Sequence, residues 1–409
     1  MAINQSFNRL QEVFGRSFFI MVPTVFVLFL LLVGVQGNDV KLWEDHDMAV
    51  NWANEGVLYY HNDGNVNHSF QFPIYPMTVG ITYWLGGVNP MYAILINVFF
   101  VFLGVLALID VLVLKQWINQ ENRWVGWTIF IGLMLYWPFQ NYVLSSVHPF
   151  AMNFGWMCLM LRTGVLFFQN KTSWNYLALS VGIVMLQRPS LIMALLFFIP
   201  EISFVSRQPL VAVKILLVAL VLPFIWMFRN YQLDGVFAMT STSGKILWKG
   251  MIPESDGSNY IEGEKNYYEC LSATEKETLK NSNVKEQDAF FKTLYSDLKT
   301  THSGLFWQKY GQKLKSFWWF REGVGTEYPQ MQKYIMVYQV FYVLLWLGVI
   351  IGLVKKPELW ILILPFIGLS LFQSYFYVET RHRIILEPLL LCLNAIWLSN
   401  YWIQKRKWR

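Results

Sequence analysis

The chain has 409 residues, of which 55% are hydrophobic and only 14% are charged, whereas about a quarter of the residues of a soluble domain are charged. This composition excludes a soluble globular protein. The formal net charge of +6 is modest, and no basic, aromatic-rich soluble segment accompanies it, which argues against a nucleic-acid partner.

Ten apolar runs follow one another along the chain, and their typical length of about 17–25 residues matches a bilayer core of about 30 Å. They fall at 17–36, 90–114, 124–139, 149–168, 174–187, 190–206, 211–228, 331–354, 358–377 and 384–403. The first run has no small-residue cleavage site after it, so we expect a retained helix. The sequence predicts an all-α integral membrane protein with about ten spans.

Basic residues predict the orientation of these spans. Short basic turns lie at 115–123, 171, 207–214 and 355–356, and the C-terminal tail is basic as well. By the positive-inside rule these segments and both termini are cytoplasmic. An even number of spans satisfies that arrangement, and a bacterial inner membrane is the expected location.

Three polar breaks then face outward, at 37–71, about 231–330 and 379–383. The apolar stretch 72–87 would reverse the later turns if it crossed the bilayer, so we expect a re-entrant or surface helix there. The break at 231–330 is too long for a simple connector and predicts a helical subdomain. The expected division is a transmembrane core at 1–230, this loop subdomain at 231–330, and C-terminal helices at 331–409.

Three acids, Glu44, Asp45 and Asp47, lie within four residues of one another in the first outer loop. A carboxylate there is suited to take a proton from an acceptor hydroxyl or amine. The alternative is a solvated acidic start of the loop, and paired acids can also bind a divalent cation. The three histidines of the same loop lack the spacing of zinc ligands, so we expect no resident metal or other cofactor.

A second group is cationic and also falls at outer helix ends. It consists of Arg188, Arg229, Arg381 and Arg383. Arginine at a helix end often only reaches toward the interface. Several guanidinium groups on one face can instead clamp a lipid phosphate in bidentate fashion.

The order of these segments resembles the GT-C glycosyltransferases over most of the chain. The resemblance rests on the acid loop and on the segments 72–76 (FPIYP), 186–189 (LQRP), 223–231 (PFIWMFRNY), 248–250 (WKG) and 381–383 (RHR). It is closest to the branch that contains the protein O-mannosyltransferases and the aminoarabinose lipid A transferases. The resemblance implies that a first-loop aspartate is the catalytic base and that outer-face arginines hold a polyprenyl-phosphate donor.

Carried over to this chain, the resemblance makes Asp45 the base, because Ala53 follows two helical turns later, where the family often has a small residue. Asp47 is the second candidate. The chain departs from the family pattern at two places, which bear on acceptor binding and on a role for a metal. Ala49 stands where the family commonly has a tyrosine, and the acid often found near the fourth run is missing from the segment 146–148 (SVH). Tyr75, His148 and His382 are the expected neighbours of donor or acceptor.

The expected activity is inverting transfer of a sugar from a polyprenyl-phosphate donor to a glycan, lipid or protein acceptor at the outer face. Two alternatives remain open at this stage. A transporter or flippase of lipid-linked sugars would share the phosphate-binding cations, although it would also favour ionisable residues at mid-membrane and repeated halves. A non-catalytic relative acting as an assembly subunit is the other alternative.

Overall fold

A computed structural model of the chain describes residues 9–15, 40–62, 65–201, 208–258, 261, 267–320 and 334–407. The predicted first apolar run, 17–36, lies outside the described residues. In the described residues, long or short helices follow the remaining apolar runs, and the sequence between them forms further short helices and a small hairpin.

The α-helices are α1 (Glu44–Glu55), α2 (Ile74–Gly86), α3 (Pro90–Leu114), α4 (Trp124–Leu135), α5 (Trp137–Leu144), α6 (Phe150–Phe168), α7 (Trp174–Gln187), α8 (Pro209–Asp234), α9 (Ser243–Lys249), α10 (Ala273–Asn281), α11 (Val284–Thr301), α12 (Ser303–Trp318), α13 (Ile335–Lys355), α14 (Leu364–Gln373), α15 (Thr380–Ile384) and α16 (Glu387–Lys407). Three 3₁₀ helices span Pro189–Glu201, Tyr267–Cys270 and Pro357–Leu362. Strands β1 (Tyr60–Asn62) and β2 (Asn65–Asn67) form an antiparallel hairpin, with Tyr60 opposite Asn67.

Four helices in the described ranges, α3, α6, α8 and α13, are long and apolar enough to cross a membrane. Large parts of α8 and α13 expose apolar side chains, for example Leu217 at 61% and Met336 at 75%. Contiguous apolar surface of this extent is unusual on a soluble protein, whereas lipid accommodates it. The chain is therefore an integral membrane protein of mainly helical structure.

Shorter apolar helices occupy the other described runs, at α4, α7, 189–201, 357–373 and 387–399. The number of crossings, about ten, stays a prediction. The apolar stretch 72–87 forms α2, whose 13 residues extend about 20 Å at 1.5 Å per residue. That length is short for a span, and a re-entrant or surface position of this helix stays a prediction.

Helices α3 and α6 pack closely and form the centre of the core. Gly104 on α3 meets Phe154, and Gly155 on α6 meets the carbonyl of Phe100, so closely that a side-chain carbon on either glycine would fall 2.7 Å from its neighbour. Small residues at such a contact let two membrane helices approach each other.

An ion-pair network secures the other end of the same helix pair. The buried carboxylate of Asp110 on α3 lies 2.7 Å from Arg162 of α6 and 3.3 Å from Arg9. The Asp110 carboxylate is thus paired with two cations, which indicates a structural role.

The loop subdomain forms its own apolar core. Trp248, Met251, Phe291 and Phe306 are buried together between α9, α11 and α12. Two capping boxes fix the starts of α10 and α11, formed by Ser272 with Glu275 and Asn283 with Glu286. This part of the chain is therefore mainly helical and has an apolar cluster of its own, while its standing as a separate subdomain and its boundaries stay predictions.

Two buried lysines of α12 donate to backbone carbonyls, Lys309 within the subdomain itself and Lys313 in the segment that follows α14. Lys309 donates to the carbonyl of Pro253 at 2.8 Å, and Lys313 donates to the carbonyl of Phe376 at 2.7 Å. Because Phe376 follows α14, the loop subdomain is attached directly to the segment that precedes α15.

The predicted orientation can be tested by substituted-cysteine labelling in intact cells, in a Cys270→Ser background. Glu55 and Asn281 are exposed and belong to segments predicted to face outward. A membrane-impermeant maleimide should therefore label both Glu55→Cys and Asn281→Cys. Lys171→Cys, in a basic turn, should react only after permeabilisation. Protection of Asn281→Cys together with labelling of Lys171→Cys in intact cells would reverse the topology.

Candidate active site

A pocket of about 350 Å³ lies where the first outer loop, the loop subdomain and α15 meet. Its lining comes from six parts of the chain: Trp43 to Asp45, Phe70 to Phe72, residues 148, 149 and 153, Gln187 to Ser190, residues 240, 242, 243, 245, 246 and 249, and residues 372, 373, 376, 377, 381 and 382. Segments far apart in sequence therefore converge on one site.

Asp45 enters the pocket from the first turn of α1. Its side chain is only 4% exposed, whereas Asp47 is exposed and does not line the pocket. Two residues along a helix turn the side-chain direction by about 200°, which explains why the two acids face different surroundings. The helix that positions them also favours acids in its first turn, where the N-terminal dipole is positive.

The environment of Asp45 favours its protonated form. Burial raises the pKa of the Asp45 carboxyl well above its usual range, the neighbouring Glu44 raises it further, and Arg381 opposes the shift. A carboxyl group with such a pKa resembles the carboxylates that enzymes tune toward neutral pH for proton transfer.

Arg188 and Arg381 bring two cations to the same pocket. Arg381, in α15, pairs with Glu379 at 2.5 Å and lies 5.2 Å from the centre of the Trp43 ring. Arg188 follows the last residue of α7, and its Nε donates to Ser190 at 3.3 Å. Burial lowers the pKa of Arg188 to about 10, and the nearby Arg381 contributes to the lowering. Both guanidinium groups remain charged at neutral pH and make the pocket suited to an anion.

Two of the predicted histidines also line the pocket. The Nδ1 of His148 accepts the backbone N–H of Phe150 at 3.2 Å, so the imidazole proton is on Nε2. Burial lowers the pKa of His148 well below its usual value, and Arg381 and Arg188 lower it further. His382 accepts the backbone N–H of Glu379 through Nδ1 at 3.2 Å. Both rings are therefore held by the backbone, and His148 is neutral.

Arg229 and Arg383, predicted as donor ligands, do not line this pocket. Arg229 donates to the carbonyls of Leu58, at 3.0 Å, and His68, and so fastens the first outer loop to α8. Arg383 is fully buried, 3.1 Å from Glu387, and its Nη1 donates to the carbonyl of Trp319 at 2.8 Å. These contacts bind both guanidinium groups to other parts of the protein, and a role of Arg229 or Arg383 in donor binding stays a prediction.

Tyr75 lies behind the pocket on α2, buried with Val79, Tyr83 and Ala93. Burial raises the pKa of the Tyr75 hydroxyl well above its usual value, and the Asp45 carboxylate raises it further. Tyr75 is therefore close enough to Asp45 to interact with it electrostatically, but it is not among the residues that line the pocket.

Lys245 and Lys249 line the pocket from α9 and were not singled out from the sequence. Both ammonium groups lie over the ring of Tyr267, at 4.5 and 4.2 Å from its centre. Their four-residue spacing places them on one face of a helix. That spacing, which includes the lysine of the WKG segment, is a signal in the sequence that points to this pair.

A second cavity of about 650 Å³ is almost entirely apolar and adjoins the pocket. It lies between the 3₁₀ helix 189–201 and α14, and is lined by Met193, Leu196, Gly368, Leu371, Phe372, Tyr375 and Phe376. Phe372 and Phe376 belong to both cavities. A charged pocket and an apolar groove are thus neighbours, as an amphipathic ligand requires.

The acids of the site do not form an evident metal centre. Among the described residues, no group of three or more His, Cys, Asp and Glu side chains is placed to hold a metal ion. Asp45 and Asp47 point to different sides of α1, and a divalent cation beside them stays an untested expectation.

No protein-family model and no curated protein matches the chain. Among solved structures, the chain is similar to the crystal structure of ArnT from Cupriavidus metallidurans bound to undecaprenyl phosphate. The sequence identity is 10% and the TM-score 0.43, over 93% of this chain and 78% of that chain. A likeness of this degree assigns no chemistry to this chain.

Proposed function

We propose that the chain is an inverting glycosyltransferase that moves a sugar from a polyprenyl-phosphate donor to a glycan, lipid or protein acceptor at the outer face of the membrane. The observation that carries the proposal is a single pocket lined by a buried carboxylate, Asp45, and two arginines, Arg188 and Arg381. A base for the acceptor and cations for the leaving phosphate are the two components that such a transfer requires.

The two adjoining cavities support an amphipathic donor. The donor phosphate would lie against Arg188 and Arg381, with Lys245 and Lys249 adding positive charge from the loop subdomain. The isoprenoid tail would extend past Phe372 into the apolar cavity. Burial of apolar surface there contributes about 25 cal/mol per Å² to binding before ordering costs.

The proposed reaction is a single displacement. Asp45 accepts a proton from the acceptor hydroxyl or amine, whose lone pair attacks the anomeric carbon of the donor sugar. The bond between that carbon and the phosphate oxygen breaks, and its electron pair stays on the polyprenyl phosphate. Attack opposite the leaving group inverts the anomeric configuration, and the two arginines stabilise the charge that develops on the phosphate.

The raised pKa of Asp45 predicts an unusual pH dependence. A base works only when deprotonated, so transfer should be lost as pH falls through the raised pKa, at a higher pH than an ordinary aspartate would give. The pH profile of kcat/KM measures this limb. Asp47→Asn should leave the limb in place, and an acid limb at the usual aspartate pKa in the wild type would contradict the proposed environment.

Donor binding tests the two arginines. Arg381→Ala or Arg188→Ala should weaken binding of undecaprenyl phosphate by about 10- to 150-fold, because a hydrogen bond to a charged group contributes about 1.5–3 kcal/mol. Lysine should rescue poorly where bidentate geometry matters. Titration by intrinsic fluorescence measures the change, with Arg123→Ala, an exposed arginine away from the pocket, as the matched control. Unchanged affinity in both pocket variants would remove the clamp from this site.

The transporter alternative and a non-catalytic subunit are distinguished by the fate of the donor. Purified protein is reconstituted with sugar-labelled donor and an acceptor extract. An enzyme separates the labelled sugar from its lipid, whereas a transporter moves the intact donor between leaflets. An assembly subunit does neither. Intact donor that changes leaflet would establish the transporter in place of the proposed function.

A further inference from the structure

Two carboxamide side chains in the pocket are buried without complete hydrogen bonding. Gln187 is 3% exposed and Asn153 is 2% exposed, and both line the pocket. Within the described part of the chain, three of their amide atoms have no hydrogen-bond partner: the nitrogen and the oxygen of Gln187, and the oxygen of Asn153. An unsatisfied buried polar group is destabilising, so such groups at a pocket indicate a polar ligand.

The position of the two amides relates them to the proposed donor. Gln187 ends α7 directly before Arg188, and Asn153 lies in the first turn of α6, which packs against α7. Arg188 is one of the two proposed phosphate ligands. The sugar of a glycosyl phosphate is joined to its phosphate through one oxygen, so a phosphate at Arg188 would bring the sugar within reach of the adjacent Gln187.

We propose that Asn153 and Gln187 bind hydroxyl groups of the transferred sugar and select a neutral sugar, an inference that rests on the proposed function. An amide offers N–H donors and a carbonyl acceptor, which match a hydroxyl group that both donates and accepts. The amides carry no charge, so a charged substituent placed against them would lose hydration and gain no counter-ion from these two side chains.

Hydrogen bonds from these two amides would make donor binding depend strongly on the hydroxyl groups of the sugar. A site built to hydrogen-bond a substrate hydroxyl discriminates against the analogue that lacks it, because its own buried polar groups then stay unpaired. Gln187→Leu and Asn153→Leu keep similar volume and remove the polar atoms. Each substitution should lower the affinity for the sugar-bearing lipid by about 10-fold or more. The affinity for the sugar-free lipid should stay at the wild-type value.

The test measures dissociation constants for undecaprenyl phosphate and for its glucosyl, mannosyl, galactosyl, aminoarabinosyl and glucuronosyl esters. The full-length protein is compared with Gln187→Leu, Asn153→Leu and, as a matched control, Gln140→Leu, a buried amide outside the pocket. The expected result is tightest wild-type binding of a neutral-sugar ester, and loss of that preference in the two pocket variants alone. Binding of the sugar-free lipid reports that each variant is folded.

The alternative outcomes separate this inference from the proposed function. Failure of the wild type to bind any of the lipids would overturn the function itself. Wild-type binding of the lipid with undiminished sugar preference in both variants would overturn only the inference. Tightest binding of a charged sugar, or equal loss of both lipid forms in the variants, would overturn it as well, because the amides would then serve another ligand or the fold.

Discussion

Replacement of Asp45 by Asn is expected to lower sugar transfer by about 10²- to 10⁴-fold, the usual contribution of a general base. Asparagine has nearly the size of aspartate and retains much of its hydrogen bonding, but it cannot take the acceptor proton. Donor binding should persist, because the proposed phosphate ligands are arginines. The measurement is steady-state transfer with donor affinity determined on the same preparation.

Asp47→Asn is the matched control for this substitution. Asp47 lies two residues away in α1, is exposed and does not line the pocket, so its replacement should change transfer little. Near-normal turnover by Asp45→Asn together with an inactive Asp47→Asn would reassign the base. Near-normal turnover by both variants would refute the mechanism.

The second large effect is a loss of thermal stability, which we expect when the buried Arg383–Glu387 pair is broken. Glu387 accepts hydrogen bonds from Tyr136 and, at 2.7 Å, from Tyr338, while Arg383 lies against it at 3.1 Å. Removing one partner of a buried pair leaves an uncompensated charge, which typically costs about 3–5 kcal/mol. Arg383→Ala should therefore unfold at a clearly lower temperature in detergent.

A double substitution separates lost pairing from lost packing. Arg383→Met with Glu387→Leu removes both charges and should recover much of the stability that Arg383→Ala loses. Arg123→Ala again serves as the exposed control. Wild-type thermal stability of Arg383→Ala combined with weakened donor binding would return Arg383 to the set of phosphate ligands that the sequence suggested.

Much of the fold follows from the sequence, because lipid imposes a simple length rule on apolar segments. The runs at 90–114 and 149–168 form α3 and α6 almost to the residue. The helical composition of the long outer loop likewise appears as α10 to α12. The run 190–206 behaves differently, since its described part is a 3₁₀ helix ending at Glu201, which hydropathy does not distinguish from an α-helix.

The site was only partly predictable, because its members come from distant segments. Asp45, Arg188 and Arg381 have a recognisable signature in the sequence, an acid and two cations at helix ends predicted to face outward, and the pocket brings them together. Arg229 and Arg383 have the same signature in sequence, yet their guanidinium groups bind backbone carbonyls or a carboxylate. Only tertiary contacts reveal that difference.

The residues missed by sequence inspection show the same limit. Asn153 and Gln187 are amides inside apolar runs, where a structural role in the core is the ordinary expectation. The role proposed for them in the pocket rests on which of their atoms lack hydrogen-bond partners, and that property is visible only in the structure.

The central claim is that the bond between sugar and phosphate breaks, with the sugar leaving the lipid. It is tested most directly with a polyprenyl-phosphate donor that carries ¹⁴C in the sugar and ³²P in the phosphate, incubated with purified protein and a membrane extract as acceptor source. The account predicts that ¹⁴C moves to an acceptor while ³²P stays on the polyprenyl lipid, and that Asp45→Asn abolishes most of this movement. Transfer of both labels together, or retention of both on intact donor, would contradict it.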